Sequence, residues 1–248
     1  MAGVVIVTGG SRGIGAATAL LAARRGWAVG VGYRDDGDAA AAVVASCVDA
    51  GAAAAAVKGD VTDERDVVRL FDSVASELGP VTGLVNNAGV VVGQGRVDEL
   101  STDRLRQVLA VNVFGAFLCA REAVLRMSTR HGGAGGCIVN VSSRAAVLGS
   151  PTEYVDYAAS KAAVDTLTVG LAKEVAAERI RVNAVRPGLI RTEIHARAGD
   201  PGRLDRIAST VPMGRAGEPA EVAEAIVWLL SAEASYVTGT VIDVSGGR

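Results

Sequence analysis

Short runs rich in Val and Ile alternate along the chain with longer, Ala-rich amphipathic runs. The short runs predict strands near 3–8, 28–33, 54–59, 82–86, 136–142, 180–186 and 240–244. The longer runs predict helices over 14–25, 38–50, 64–78, 101–129, 154–178 and 219–231. The strand runs lack strict alternation, as expected of strands buried on both faces. Their repeated β-α-β order implies an α/β fold: a parallel sheet with helices on both sides. No Pro/Ser-rich linker or change in composition divides the chain, so residues 1–248 read as one domain. Gly132–Gly136 reads as a flexible loop before a strand. Residues 189–215, with Pro201, Pro212 and several Gly and Arg, read as a mobile excursion from the sheet.

Composition narrows the function classes. With 25 Lys+Arg against 27 Asp+Glu, the net charge of −2 gives no electrostatic reason for a nucleic-acid or anionic-membrane partner. Aromatic residues, at 4%, are too sparse for a base-stacking platform. Cys47, Cys119 and Cys137 are odd in number and widely spaced. They argue against a disulfide framework and for a reducing, cytoplasmic compartment. His131 and His195 stand alone, so no metal site is expected. Strand-like sequence begins at Val4, leaving no room for a signal peptide. Ser46, Asp49 and Gly51 interrupt the apolar stretch Ala39–Val57, so it is not read as a membrane span.

The first strand runs into Thr8-Gly9-Gly10-Ser11-Arg12-Gly13-Ile14-Gly15, and a helix follows. Glycines let the backbone approach a ligand, and the helix N-terminus offers N–H groups and a positive dipole end to a pyrophosphate. The spacing is Gly9-x-x-x-Gly13-x-Gly15 rather than GxGxxG, and no Lys-Ser/Thr follows, which excludes a P-loop. An ordinary glycine turn is the alternative; the strand–loop–helix order favours a dinucleotide. The second strand ends at Tyr33-Arg34, where an NAD site usually places a carboxylate. Arg12 and Arg34 near a 2′-phosphate would favour NADP(H). If both are solvated and Asp35 or Asp36 serves the ribose, NAD(H) is the cofactor instead.

Tyr157 and Lys161 lie one turn apart on a predicted helix face. Phenol has a pKa near 10, and moving it to about 7 takes about 4 kcal/mol of differential stabilisation. A neighbouring ammonium works in that direction. The bland reading is an aromatic and a snorkelling lysine. Tyr154 has Ala158 at the same spacing and is set aside as the acid/base; with Glu153 it is expected at the edge of the pocket. The strand Cys137–Val141 ends in Ser142-Ser143, on the ligand-binding edge of a parallel sheet. A hydroxyl there suits a substrate oxygen, and spacing alone does not choose between the two serines. Asn86-Asn87-Ala88-Gly89 suits a cofactor wall or an ordinary turn. Asn112 sits inside a helical run, where Asn is unfavourable without a polar task; a buried helix-kink asparagine is the alternative.

Taken together, these residues resemble the short-chain dehydrogenase/reductase family in its single-domain branch. Thr8-Gly9-x-x-x-Gly13-x-Gly15, Asp60-Val61, Asn86-Asn87-Ala88-Gly89, Asn112, the Ser-Ser strand end, Tyr157-x-x-x-Lys161 and Pro187-Gly188 occur in family order over nearly the whole chain. The resemblance implies a Rossmann-type doubly wound sheet of about seven parallel strands and a catalytic tetrad. Asn112 would position a water linked to Lys161, Ser143 would orient the substrate carbonyl, and Tyr157 would be the acid/base. Lys161 would hold the ribose and lower the tyrosine pKa. The cofactor would contact Gly9, Ser11, Arg12, Gly13, Ile14, Gly15, Tyr33 and Arg34. Asp60 would meet the adenine amino group, beside Val61. Asn87, Ala88 and Gly89 would line the cofactor; Pro187, Gly188, Ile190 and Thr192 would flank its nicotinamide end.

The chain departs from that pattern twice. Ser143 and Tyr157 are 14 residues apart, one more than usual, which is assigned to the loop Gly149–Asp156. The insert 132–136 alters the stretch where 3-oxoacyl-carrier-protein reductases carry basic residues, although Arg130 remains. The expected function is an NADPH-dependent carbonyl reductase, reversible as an alcohol dehydrogenase, on a small molecule. A 3-oxoacyl thioester reductase and a sugar dehydrogenase are narrower readings. An NADP-binding regulator or scaffold of the same fold is the alternative from another class. In the segment 189–215, Ile190, Ile194, Ile207, Val211 and Met213 could close over a substrate, and Arg191, Arg197, Arg203 or Arg206 could bind an acid group. A helix's packing and solvated faces would look the same. Family resemblance also implies a homotetramer, joined through helices 101–129 and 154–178 and the region near 236–248.

Overall fold

The computed structural model describes residues 3–193, 199–200 and 202–248. The elements in chain order are β1 (Gly3–Thr8), α1 (Gly13–Arg24), β2 (Trp27–Tyr33), α2 (Gly37–Asp49), β3 (Ala54–Lys58), α3 (Glu64–Leu78), β4 (Val81–Asn86), α4 (Thr102–Leu109), α5 (Gly115–Met127), β5 (Gly136–Val141), α6 (Ala145–Leu148), α7 (Val155–Val175), β6 (Ile180–Pro187), α8 (Arg203–Ile207), α9 (Pro219–Leu230) and β7 (Val241–Val244). The seven strands form one sheet in the order β3-β2-β1-β4-β5-β6-β7, and every pairing is parallel. The fold is thus the doubly wound Rossmann type that the residues and the resemblance imply.

Alternate residues of each strand feed two cores, which is why the strand runs are apolar throughout. Val5, Val7, Val29, Val31, Val139 and Val185 pack with Ala19, Ala22, Ile226 and Leu229 from α1 and α9. Val4, Ile6, Leu84, Ile138 and Val182 face the other way, against Phe71, Val74, Leu118, Met127 and Val175 of α3, α5 and α7. Sheet growth reverses between β1 and β4. At such a switch point the loops leaving the strands' C-terminal ends part and open a crevice for ligand.

Predicted strand ends move by at most one residue. The larger difference is in the predicted helix 101–129. Ser101 caps α4 by accepting from the Arg104 amide at 3.2 Å. A π-helical turn, Ala110–Phe114, then separates α4 from α5, and a 3₁₀ turn covers Thr129–His131. The predicted 154–178 divides likewise into α7 and a 3₁₀ turn at Ala176–Glu178. The glycine loop 132–136 is closely packed: a Cβ on Gly133 would lie 2.4 Å from the Met127 carbonyl oxygen. In the excursion 189–215, Val211 is buried with Leu189 and Ala216, whereas Met213 is exposed. Ile194, His195, Arg197 and the side chain of Arg203 lie outside the described residues.

Candidate active site

The β1–α1 loop is built for close backbone approach. Gly9 and Gly13 have φ of +61° and +53°, where side chains are strained. A Cβ on Gly15 would meet the Gly9 carbonyl oxygen at 2.4 Å. The end of β4 clamps this loop. Asn87 Nδ2 donates to the carbonyls of Thr8 and Gly9 at 2.9 and 3.0 Å. Thr8 Oγ1 accepts from the amides of Asn87 and Ala88, both at 3.0 Å. The first turn of α1 holds no acidic residue and no side-chain cap, so its N–H groups remain available to an anion.

A groove runs along this loop, lined by Gly9, Ser11, Arg12, Gly13, Ile14, Tyr33, Arg34, Asp60, Val61, Asn87, Ala88, Gly89 and Thr192. Arg34 pairs with Asp35 at 2.8 Å, and Arg12 stands 3.8 Å from Glu193. Asp60 Oδ1 accepts from the amide and hydroxyl of Thr62 at 2.9 and 2.8 Å, which fixes its carboxylate. Asp36 caps α2 by accepting from the Ala39 amide at 3.0 Å.

A second cleft holds Ser143, Tyr157, Lys161, Pro187, Gly188, Ile190 and Thr192. Ile14, Asn87, Gly89 and Thr192 line both spaces, which are therefore continuous. The two serines part company at the end of β5. Ser142 is buried and donates to the Lys161 carbonyl at 3.1 Å. Ser143 turns to the cleft, where its hydroxyl accepts from the Ala145 amide at 3.1 Å and hydrogen-bonds Tyr157. Lys161 Nζ donates to the Val141 carbonyl at 2.8 Å and lies 5.7 Å from the Tyr157 ring centre.

Burial governs the charges here. It pushes the Tyr157 phenol up, and the bond with Ser143 only partly opposes it. The sequence reading expects the opposite direction; desolvation of the buried phenol is the larger effect. Burial also brings the Lys161 ammonium down to about 8, with Asp165 opposing. Burial lifts the Cys119 and Cys137 thiols to about 12 and about 11, so neither is a ready nucleophile.

Asn112 sits on the π-turn and is buried. Its Oδ1 accepts from the Val90 amide at 2.8 Å; its Nδ2 donates to the Val90 carbonyl at 2.9 Å and to Ser160 Oγ at 3.0 Å. It thus fastens the segment after β4 to α7. A Cβ on Gly89 would come within 3.3 Å of Lys161 Nζ and 3.4 Å of Asn112 Oδ1, so glycine keeps these two groups apart from bulk.

Several cleft residues carry no local signal. Val91, Leu148 and Leu189 supply apolar wall, and Arg144 and Arg248 supply charge; Ile207 and Tyr154, both expected near the pocket from the sequence, line it with them. Arg104 and Asp156, 52 residues apart, form a buried two-pronged pair at 2.8 and 2.9 Å that secures the first turn of α7 beside Tyr157.

Comparison with known proteins places this geometry. The family model described as enoyl-(acyl carrier protein) reductase matches residues 9–248. The chain is 55% identical over 245 residues to an uncharacterized oxidoreductase, YgfF, of Escherichia coli, covering 99% of each. It is 41% identical to 3beta-hydroxysteroid dehydrogenase 1 of Eggerthella lenta, covering 98% of this chain and 92% of that one. It is 42% identical to cis-4-hydroxycyclohexanecarboxylate dehydrogenase of Sinomonas cyclohexanicum, covering 98% and 95%. A short-chain type dehydrogenase/reductase from Mycobacterium marinum superposes with a TM-score of 0.92 at 34% identity, covering 98% and 94%. The chain therefore belongs to the short-chain dehydrogenase/reductase family, oxidoreductases that use NAD(P)(H) and act on hydroxyl or carbonyl groups.

Proposed function

We propose that the protein is a cytoplasmic, homotetrameric, NADP(H)-dependent alcohol dehydrogenase and carbonyl reductase for a ring-borne secondary hydroxyl or its ketone. One observation carries the reading: Ser143, Tyr157 and Lys161 converge in a cleft continuous with the glycine-loop groove. The groove fits a dinucleotide, because a side chain at Gly15 would fill the cradle and the N-terminus of α1 is open to a pyrophosphate. Bound there, the nicotinamide supplies or accepts the hydride.

The remaining work falls to the chain. Ser143 holds the substrate oxygen toward Tyr157. In reduction Tyr157, kept a neutral phenol by burial, gives that oxygen its proton. In oxidation its phenolate takes the hydroxyl proton, supported by the Lys161 ammonium. Arg12 and Arg34 favour a cofactor with a 2′-phosphate. Their pairings with Glu193 and Asp35 are exposed and worth about 0–1 kcal/mol, less than charge-assisted bonds to phosphate. The ring substrate is supported by Val91, Leu148, Leu189 and Ile207 on the cleft wall and by the names of the dehydrogenase relatives.

Nicotinamide fluorescence titrations with NADPH and NADH, followed by oxidation assays on cis-4-hydroxycyclohexanecarboxylate and a 3β-hydroxysteroid, test the reading. NADPH is expected to bind more tightly, and Arg34→Asp to erase that preference. Tyr157→Phe is expected to lower kcat by about 10²–10⁴-fold with NADPH affinity retained. Equal turnover in Tyr157→Phe would remove the acid/base assignment. Tight NADPH binding without turnover on any alcohol or ketone would favour a cofactor-binding scaffold.

A further inference from the structure

Four charged side chains form a ladder beside the cleft. Asp165 lies one turn beyond Lys161 on α7 and accepts from Arg186 Nε at 2.9 Å. Arg186, on β6, also faces Asp243 of β7, with Nη1 3.7 Å from Oδ1. The second oxygen of Asp243 pairs with Arg144. These residues stand at 144, 165, 186 and 243, and only the β5-β6-β7 order and the packing of α7 on that sheet bring them together. Asp165 and Arg186 are the inner rungs, with side chains 12% and 21% exposed. Asp243 is the wetter rung, at 42%, and Arg144 pairs with it from the β5 side.

Each rung adjoins a segment of the site. Arg144 follows Ser143, and its amide donates to the Pro187 carbonyl at 3.0 Å. Arg186 precedes Pro187-Gly188. Asp165 shares the helix of Tyr157 and Lys161. Its Oδ2 is bound by Arg186 while its Oδ1 is buried without a hydrogen bond, so one guanidinium only partly offsets the carboxylate's charge. Lys161 faces Tyr157 on its own helix, the Val141 carbonyl of β5 and Gly89 after β4, and Asp165, one turn further along α7, acts on it through space. Asp165 is the carboxylate that supports its charge, and Arg186 competes for that carboxylate.

We propose that Asp165 is a positioning residue: held by Arg186 and the Asp243–Arg144 pair, it sets how firmly Lys161 keeps its proton and ties together the segments bearing Ser143, Lys161 and Pro187-Gly188. Its bearing on turnover rests on Tyr157 and Lys161 being the acid/base pair. The ladder is charge-balanced, so its two inner rungs have opposite effects on Lys161. Removing the Asp165 charge makes the ammonium less favourable. Removing the Arg186 charge leaves Asp165 to Lys161 alone and makes the ammonium more favourable.

The chain has only three lysines, at 58, 161 and 173, so Lys161 can be titrated directly by NMR of ¹³Cε-labelled lysine in the whole protein, without substrate or dinucleotide. Lys161 is expected to titrate near 8 in the wild type, identified by its loss in Lys161→Met. In Asp165→Asn its pKa is expected to fall by about half a unit or more, with Asp165→Glu restoring most of it; in Arg186→Gln it is expected to rise. A purely structural ladder would lower Tm in all three variants and leave Lys161 unmoved, which overturns the proposal. Should Asp165→Asn fail to fold, the sign of the Arg186→Gln shift decides alone: an unchanged or lowered value overturns it. The Tyr157→Phe assay separates the two readings. Full turnover in that variant removes the acid/base pair even if Lys161 responds to Asp165, whereas a dead variant with an unresponsive Lys161 removes the ladder alone.

Discussion

Keeping Lys161 buried costs stability, and the cost has a pH signature. Its pKa falls from 10.5 to about 8 on folding. Between those values the unfolded chain holds a proton that the folded chain has released, so this residue's contribution to stability rises with pH across that window. Below about 8 the full penalty applies, ~3 kcal/mol at 1.36 kcal/mol per unit. Urea unfolding of Lys161→Met and wild type should therefore differ most in the variant's favour below pH 8, with the difference shrinking by that amount toward pH 10.5. A difference that is flat with pH would mean the ammonium is not desolvated. The same titration bears on rate. On the proposed roles of Tyr157 and Lys161, carbonyl reduction needs the phenol, which burial keeps protonated, and a charged lysine beside it. The kcat/KM for reduction is then expected to hold steady below pH 8 and to decline above it, and a profile level to pH 10 would count against a role for the Lys161 charge.

The π-turn at Ala110–Phe114 shows what an element can do that its residues do not advertise. It points the Asn112 amide at both backbone groups of Val90 and at Ser160. Asn112→Ala removes both Val90 bonds in a half-buried setting and the bond to Ser160, a loss of about 1–3 kcal/mol. Denaturant titration should show that loss, together with weaker NADPH binding because Gly89 and Val90 are no longer held. Val111 and Phe114 flank Asn112 with ordinary helical periodicity, so 101–129 reads as one helix; the extra residue in the turn has no signature in composition. The strands were legible because being buried on both faces makes them apolar throughout. The glycine loop, Asn87 and Tyr157–Lys161 were legible because each motif is local. The choice of Ser143 over Ser142 needed the direction of the last residues of β5. Arg104–Asp156 and the Asp165–Arg186–Asp243–Arg144 ladder join residues 21 to 99 positions apart, and only the tertiary fold creates them.

At the scale of the molecule, the sheet accounts for the buried faces of α5 and α7 but leaves their outer faces uncovered. Phe114 and Phe117 are 54% and 50% exposed, and Leu109, Leu125 and Val169 are also exposed. Large apolar side chains left exposed along neighbouring helices mark an interaction surface. The stretch Thr102–Met127 is long and apolar enough to cross a membrane, yet 56% of its apolar window is already buried inside the fold. A helix committed on one face to Leu84, Ile138 and Val182 cannot leave the sheet for a bilayer without exposing that core. Covering its outer face with a second copy of the same helix satisfies both faces at once and closes by two-fold symmetry. That contact alone closes at two copies; with the second two-fold contact near 236–248 that the family resemblance implies, light scattering on the eluting peak should give about four times the 25.1 kDa chain mass, and Phe117→Glu should reduce it to about twice by placing like charges across the symmetric helix contact. A wild-type monomer that floats with liposomes would instead assign the patch to lipid, and a wild-type monomer that does not float would leave the patch to a different protein partner.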